Sequence, residues 1–221
     1  MRKEPNDRKE ELIDAAEDLF SEKGFKETSV DDICDEVGVA HGLFYYYFES
    51  KENVIEAITE RMINELVAKM EEILMRDDLS ADEKLKRLFS LSFQKEKNKP
   101  YLASYFFREE STQLYYSLFE RSIDMLTPYL TEMIEQGVDE GIFKTEYPEQ
   151  TVRFWLNGRL FLFDQDRLEG KKLLKDMKAE VYLLERLLGV EDSFLTDLYE
   201  EKDEELEHFY LEITQGDKDE R

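Results

Sequence analysis

Apolar residues recur every three or four positions along most of the chain, which is the period of an amphipathic α-helix. The N-terminal quarter contains three short segments of this kind. The first segment ends at Gly24 and has its apolar residues at Leu12, Ala15, Ala16, Leu19 and Phe20. Those of the second are Val30, Ile33, Cys34 and Val37, and those of the third are Phe44, Tyr47 and Phe48. Three helices with one apolar side each are predicted to pack around one small core.

The second and third of these segments are separated by a tight turn. Thr28, followed three residues later by Asp31, has the spacing of a capping box that starts a helix. Gly38 can adopt the backbone angles that a tight turn needs. Two short helices joined in this way form a helix-turn-helix, in which one helix supports another in the DNA major groove.

The remainder of the chain is also predicted to be helical. Only 4 prolines and 9 glycines occur, and few runs of β-branched residues, so we expect an all-α fold with almost no sheet. The predicted helices cover about 50–75, 80–97, 100–110, 111–140, 148–166, 171–188 and 192–213. Pro128 predicts a kink or break within the fourth of them.

These elements suggest two domains. We expect a helix-turn-helix DNA-binding domain at 1–50, a larger helical ligand-binding and dimerisation domain at 51–214, and a disordered tail at 215–221. The fold class is therefore all-α, with a three-helix head and a larger helical body.

A series of residues at fixed offsets resembles the N-terminal domain of the TetR (tetracycline-repressor-like) transcription regulators. The motif reads Gly24-Phe25-x-x-Thr28-Ser29-Val30-x-x-Ile33, then Gly38-Val39, then Phe44-Tyr45-Tyr46-Tyr47-Phe48-x-Ser50-Lys51-x-Asn53-Val54. The resemblance implies a ligand-responsive transcriptional repressor, which binds a near-palindromic DNA operator as a dimer through the helix at about 40–47. A regulator of this kind is not an enzyme.

The resemblance also implies which residues contact DNA. Thr28 would place its hydroxyl on a phosphate, Lys51 would make a charged phosphate contact, and the phenols would bind further phosphates. The residues nearest the base edges would come from the start of the recognition helix, with Leu43 against a thymine methyl. The full set is Thr28, Ala40, His41, Gly42, Leu43, Tyr45, Tyr46, Tyr47 and Lys51. Taken alone, a run of tyrosines is equally typical of an amphipathic core.

In this family, the two helices near 148–166 and 171–188 build a homodimer through a four-helix bundle. The resemblance places the following residues at that interface: Val152, Leu156, Gly158, Leu160, Phe163, Leu174, Met177, Val181, Leu184 and Leu188. The alternative is that these apolar stripes pack within one subunit.

The region at about 85–163 is rich in aromatic residues, which is typical of the walls of small-molecule pockets. The candidate ligand-binding residues are Phe89, Phe93, Tyr101, Tyr105, Phe119 and Trp155, with Asn157 and Arg159 as orienting polar groups. They favour a small lipophilic or aromatic effector. The same spacing is also compatible with a solid core.

The charge opposes DNA binding. The formal net charge is −24, and residues 1–51 hold 7 Lys/Arg against 14 Asp/Glu, a net −7. A nucleic-acid binder normally has a basic face. One explanation is that a local ring of cations surrounds the recognition helix, formed by Arg2, Lys3, Arg8, Lys9, Lys26 and Lys51. A second is that helix N-termini supply positive potential without net charge. A third is a high intracellular salt concentration, which screens repulsion.

Several classes of chemistry lack the residues they need. With 2 histidines and 1 cysteine, neither a zinc site nor a His-based catalytic triad is expected, and no glycine-rich phosphate loop occurs, so we expect no metal and no cofactor. The sequence has no apolar run long enough to predict a membrane span and no secretory signal, so we expect a cytoplasmic protein.

The alternative function is a helical small-molecule-binding or interaction protein with weak or lost DNA binding.

Overall fold

The computed structural model describes residues 5–91, 112–162, 170–190 and 193–201. These residues form helices joined by turns and contain no strand, which confirms the all-α prediction. The helices are α1 (Pro5–Glu27), α2 (Val30–Val37), α3 (His41–Tyr47), α4 (Lys51–Leu74), α5 (Ala81–Ser90), α6 (Thr112–Asp139), α7 (Pro148–Leu162), α8 (Gly170–Leu188) and α9 (Leu195–Glu201).

The chain forms two compact units. The described residues up to Asn64 belong to the first unit, and those from Glu65 onward belong to the second. The division falls inside α4, whereas the predicted boundary at residue 50 coincides with the start of that helix. The predicted tail at 215–221 and the predicted helix at 100–110 lie outside the described residues.

The first unit has a small apolar core built by α1 to α4. The chain leaves helical geometry at Gly24, where φ is 84° and ψ is 162°, and then resumes it. This change of direction brings the ring of Phe25 to 5.2 Å from the ring of Phe20. Gly24 allows it because a side chain is strained at a positive φ. The buried apolar residues are Leu12, Ile13, Ala15, Ala16, Phe20, Ile33, Cys34, Phe44, Phe48, Val54, Ile55 and Ile58.

The second unit has a larger core, to which the described helices α5 to α9 and the end of α4 all contribute. Helix α6 runs through Pro128 without a break, so the prediction of a break there is wrong. Helix α5 begins at a capping box, in which the Ser80 amide donates to the Glu83 carboxylate at 3.0 Å. None of the described helices combines the length and the hydropathy that a membrane span requires.

The buried carboxylate of Glu185 joins α8 to the start of α9. Its Oε1 accepts hydrogen bonds from the amides of Phe194, Leu195 and Thr196 at 2.7, 2.7 and 3.1 Å. Burial by itself raises the pKa of Glu185, but these bonds and that from the Thr196 hydroxyl outweigh it and hold the pKa below its usual value. An ionised Glu185 therefore satisfies amides that open a helix.

The predicted dimer residues on α7 and α8 need correction. The core of a single chain buries Val152, Leu156, Met177, Val181, Leu184 and Leu188. For them the alternative of packing within one subunit is correct, because a side chain already buried has no surface left for a partner. Gly158 is half-buried, with open space around its Cα, and the side chains of Leu160, Phe163 and Leu174 lie outside the described residues.

A different set of apolar side chains faces outward on these two helices. Phe154 on α7 is 70% exposed, and Leu183 on α8 is 52% exposed. Tyr182 and Leu187 are exposed on the same turns of α8. We call these four residues the outer apolar patch.

The predicted pocket residues separate into three groups. Phe89 and Trp155 are buried with ring centroids 5.6 Å apart, and the half-buried Phe119 packs against the same core. Asn157 is exposed, and its amide donates to the Arg153 carbonyl at 2.7 Å, so it lies outside the buried aromatic group. The side chains of Phe93, Tyr101, Tyr105 and Arg159 lie outside the described residues.

Candidate nucleic-acid interface

The start of α2 is defined by a capping box one residue later than predicted. The Ser29 amide donates to Oδ2 of Asp32 at 2.7 Å, and the Asp32 amide donates to the Ser29 hydroxyl at 3.1 Å. The Ser29 amide, the Ser29 hydroxyl and Lys23 at 3.0 Å all stabilise the ionised carboxylate, so the pKa of Asp32 is far below its usual range. The predicted pair of Thr28 and Asp31 is therefore wrong.

The turn between α2 and α3 depends on Gly38, which has a φ of 70° and a ψ of 42°. Its amide donates to the Asp35 carbonyl at 3.1 Å, and the Val39 amide donates to the Cys34 carbonyl at 2.9 Å. These bonds close the end of α2 and allow α3 to begin at His41, after only three residues.

Two buried phenylalanines fix the orientation of α3. Phe44 is fully buried, Phe48 is nearly so, and their ring centroids lie 5.6 Å apart. Because side chains one and two positions away point to other sides of a helix, this anchoring directs Tyr45 and Tyr46 outward. They are 58% and 75% exposed. Ala40, His41 and Gly42 are also exposed, while Leu43 and Tyr47 are half-buried.

Thr28 does not present its hydroxyl to a ligand. The residue is buried, and its hydroxyl donates to the Gly24 carbonyl at 2.8 Å. The prediction of a phosphate contact from the Thr28 side chain is therefore corrected: its hydroxyl bonds the backbone at the bend of α1. The exposed hydroxyl at this place belongs to Ser29.

The side chain of Lys51 also forms its hydrogen bonds within the head. Its ammonium donates to the carbonyls of Phe25 at 2.5 Å and Thr28 at 2.6 Å, and it lies 4.1 Å from the centre of the Phe25 ring. Burial lowers the pKa of Lys51. The predicted phosphate contact is corrected, because this ammonium binds the segment between α1 and α2.

Most other cations of the described head also have partners there. Arg8 pairs with Glu11, Lys9 lies over the Phe48 ring, and Arg61 pairs with Glu10, Asp14 and Glu17. Among the described residues of the first unit, Lys26 is the exposed lysine without such a contact. A ring of free cations around α3 is therefore not found in this part of the chain; Arg2 and Lys3 lie outside the described residues.

The first residue of α3 touches α2. Nε2 of His41 lies 2.9 Å from Oδ1 of Asp31, and both side chains are exposed. The sequence assigned neither Ser29 nor Asp31 to the DNA-binding set, and the capping role that it gave Asp31 is the one corrected above. The one available signal for Asp31 was that it lies ten positions before a histidine at the start of the next helix, which does not reveal a contact.

A helix-turn-helix whose second helix is anchored from one side and exposed on the other defines a DNA-binding protein of the transcription-regulator class. The family model for bacterial regulatory proteins of the tetR family matches residues 12–58, which include α2, α3 and the turn between them. Over these residues the chain matches the TetR family of transcription regulators, as the sequence motif predicts.

Similarity to individual proteins extends over most of the chain. The HTH-type transcriptional repressor KstR2 of Mycolicibacterium smegmatis is 24% identical over 194 residues, which cover 86% of this chain and 94% of that protein. The crystal structure of a transcriptional regulator from Cytophaga hutchinsonii aligns with a TM-score of 0.65 at 20% identity, covering 81% of this chain and 96% of that one.

A further similar structure contains a small molecule. The crystal structure of RolR in complex with resorcinol aligns with a TM-score of 0.58 at 19% identity, covering 89% of this chain and 93% of that one. At these identities, the two structures establish the shared fold.

Proposed function

We propose that the protein is a ligand-responsive transcriptional repressor that binds a near-palindromic operator as a homodimer, with α3 as the recognition helix. The observation that carries this proposal is the outward position of Tyr45 and Tyr46 on a helix anchored by Phe44 and Phe48. Large aromatic residues exposed side by side next to a structured turn are typical of a binding surface, and DNA is the partner of this motif. The name of the similar KstR2 supports repression.

The two kinds of DNA contact come from different parts of α3. The phenols of Tyr45 and Tyr46 donate to phosphates, which sets the register of the helix on the duplex. The residues nearest the base edges are Ala40, His41, Gly42 and Leu43. The half-buried Tyr47 contacts a phosphate through the exposed part of its side chain. Amides at the starts of α2 and α3 supply positive potential that a net-acidic head otherwise lacks.

Dimerisation occurs through the outer apolar patch. Phe154, Tyr182, Leu183 and Leu187 are exposed on neighbouring helices that already pack together within one chain. The same face of α7 carries Gly158, four residues after Phe154, where the open space allows a second helix to approach closely. Two heads held about 34–36 Å apart match half-sites one turn of DNA apart.

The effector is a small lipophilic or aromatic molecule that binds in the second unit. The aromatic residues Phe89, Phe119 and Trp155 support this class, and so does the resorcinol bound by RolR. Helix α4 begins in the first unit and ends in the second. An effector that prefers one position of α4 therefore shifts the equilibrium of DNA binding. As a regulator of transcription, the protein acts in the cytoplasm.

A second candidate function is a helical small-molecule-binding protein that has lost DNA binding. The specific observation in its favour is charge: the head is net-acidic, and Lys51 is withdrawn from its surface. Repulsion between such a head and a polyanion is strongest at low salt.

Selection from a random pool of duplex DNA distinguishes the two functions. The full chain is incubated with the pool at several salt concentrations, and bound duplexes are amplified and sequenced. A repressor of the proposed kind enriches one near-palindromic sequence, and a Tyr45→Ala, Tyr46→Ala variant enriches none. Failure of the unaltered chain to enrich any sequence, at low and at high salt, would overturn the proposal in favour of the second candidate.

A further inference from the structure

The contact between His41 and Asp31 connects the supporting helix to the first residue of the recognition helix. Nε2 of His41 lies 2.9 Å from Oδ1 of Asp31, within hydrogen-bond distance, and the side chains are 52% and 73% exposed. Asp31 is in the first turn of α2. The contact therefore bridges the turn of the helix-turn-helix on its solvent side.

The carboxylate determines which ring nitrogen of His41 carries a proton. An ionised carboxylate only accepts hydrogen bonds, so Nε2 must be the donor. In the neutral ring, Nδ1 is then left as an acceptor. Among the residues that the structure describes, none forms a hydrogen bond with Nδ1, which makes that nitrogen available to a ligand.

A carboxylate in the first turn of α2 is favourable in itself, but that effect does not require a contact with His41. Exposed ion pairs contribute little to folding, because both groups are well solvated when apart. A negative charge beside the recognition helix is repelled by phosphates. A carboxylate at this position is suited to control which hydrogen-bonding group His41 presents to a base.

We propose that Asp31 is a positioning residue for base recognition, acting through the tautomer of His41. The neutral ring then presents Nδ1 as an acceptor in the major groove. The base atoms that match it are the exocyclic amines, N6 of adenine and N4 of cytosine, whereas guanine presents only acceptors there. The inference rests on the proposed function, since it requires α3 to lie in the groove.

Loss of Asp31 has a defined consequence for specificity. Without the carboxylate, the imidazole adopts either tautomer, so it accepts from adenine or cytosine in one form and donates to guanine in the other. Preference at one position of each half-site is then relaxed, while the rest of the operator is read as before. Removal of the charge also raises affinity for unrelated DNA.

The test is operator selection with four proteins: the unaltered chain, Asp31→Ala, Asp35→Ala and His41→Ala. Asp35 is the matched control, because it is exposed on the same face of α2 one turn later and its substitution removes the same charge. The selection is run in alkaline buffer, at about pH 8.5. The readout is the base preference at each position of the enriched sequence.

The expected result concerns one symmetric pair of positions. The unaltered chain prefers adenine or cytosine over guanine there by about fivefold or more, Asp31→Ala reduces that ratio to below about twofold, and Asp35→Ala retains it. His41→Ala relaxes the same positions. Alanine is chosen because an asparagine oxygen at position 31 still accepts from Nε2 and holds the same tautomer.

Three results would overturn the inference while leaving the proposed function intact. Asp31→Ala keeps every preference of the unaltered chain; Asp31→Ala and His41→Ala relax different positions; or Asp31→Ala weakens all positions equally, as a structural defect would. If the unaltered chain enriches no sequence, the proposed function fails and the inference fails with it.

Discussion

The ammonium nitrogen of Lys51 lies 2.6 Å from the carbonyl oxygen of Thr28, and this bond ties the start of α4 to the segment that leads into α2. The same nitrogen lies 2.5 Å from the Phe25 carbonyl oxygen. The family resemblance predicts that Lys51 contacts a DNA phosphate, but in the structure its ammonium stabilises the head by bonding the backbone between α1 and α2.

We expect Lys51→Met to destabilise the head. The methionine keeps the apolar stem but leaves two carbonyls without their donor, so the free energy of unfolding falls by about 1–3 kcal/mol. Urea denaturation followed by circular dichroism measures the change. The matched control is Lys26→Met, since Lys26 is an exposed lysine and its loss is expected to leave stability unchanged. Equal stability of the two variants would contradict the bracing role.

The dependence of operator binding on salt is expected to be shallow. Few cations of the described head are free, so each head releases few counterions when it binds. A dimer with about four phosphate-neutralising groups gives a slope of about −4 in a plot of log K against log salt concentration. Fluorescence anisotropy over a salt series measures the slope. A slope steeper than about −7 would show that cations we assign to internal contacts engage phosphates instead.

Substitution in the outer apolar patch is expected to produce monomers. A Phe154→Ser, Leu183→Ser variant removes two exposed apolar side chains without disturbing the core of the chain, so folding is retained while association is lost. Sedimentation velocity measures the mass. The control is Met75→Ser, which removes an exposed apolar residue elsewhere in the second unit. The assignment of the patch fails if the double variant sediments as the unaltered chain does.

The bond network of Glu185 predicts a pH-dependent contribution to stability. Its pKa is lower in the folded chain than in the unfolded chain, so the contribution is present above the ordinary value of 4.5 and is lost as the pH falls below it. At pH 7 we expect Glu185→Gln to lower the free energy of unfolding by about 1–3 kcal/mol. Near pH 4 the difference from the unaltered chain becomes smaller.

Urea denaturation at the two pH values tests this expectation. The control is Glu132→Gln, because Glu132 is an exposed glutamate on α6. A difference between Glu185→Gln and the unaltered chain that stays constant from pH 7 to pH 4 would mean that ionisation of Glu185 is not what stabilises α9.

The sequence predicted the helix-turn-helix correctly because its signals are local. The apolar spacing of Ile33 and Cys34 and the glycine at 38 act over a few residues, and the structure confirms both. Capping was harder to assign. Thr28 and Ser29 are adjacent, each is followed three residues later by an aspartate, and both pairs satisfy the rule. The choice depends on the bend at Gly24, whose carbonyl takes the Thr28 hydroxyl.

Contacts between distant residues were not predictable. The Lys51 ammonium bonds residues 23 and 26 positions away, and no short motif encodes that. The apolar stripes on α7 and α8 are a second case in which the sequence did not reveal which residues are in contact. Periodicity identified Val152 and Val181 as apolar faces, but not whether the same chain or a second copy covers them. The exposed Phe154 and Leu183 were passed over because they lie beside stronger apolar stripes.

Equilibrium binding of the selected operator by Tyr46→Ala tests the central claim most directly. Tyr147→Ala is the control, because Tyr147 is an equally prominent exposed tyrosine in the second unit. If α3 docks on DNA, loss of the Tyr46 phenol weakens binding about tenfold or more, since a hydrogen bond to a charged phosphate is lost from each head, while Tyr147→Ala binds as the unaltered chain does. Equal operator affinity of the Tyr46→Ala variant and the unaltered chain would contradict the account.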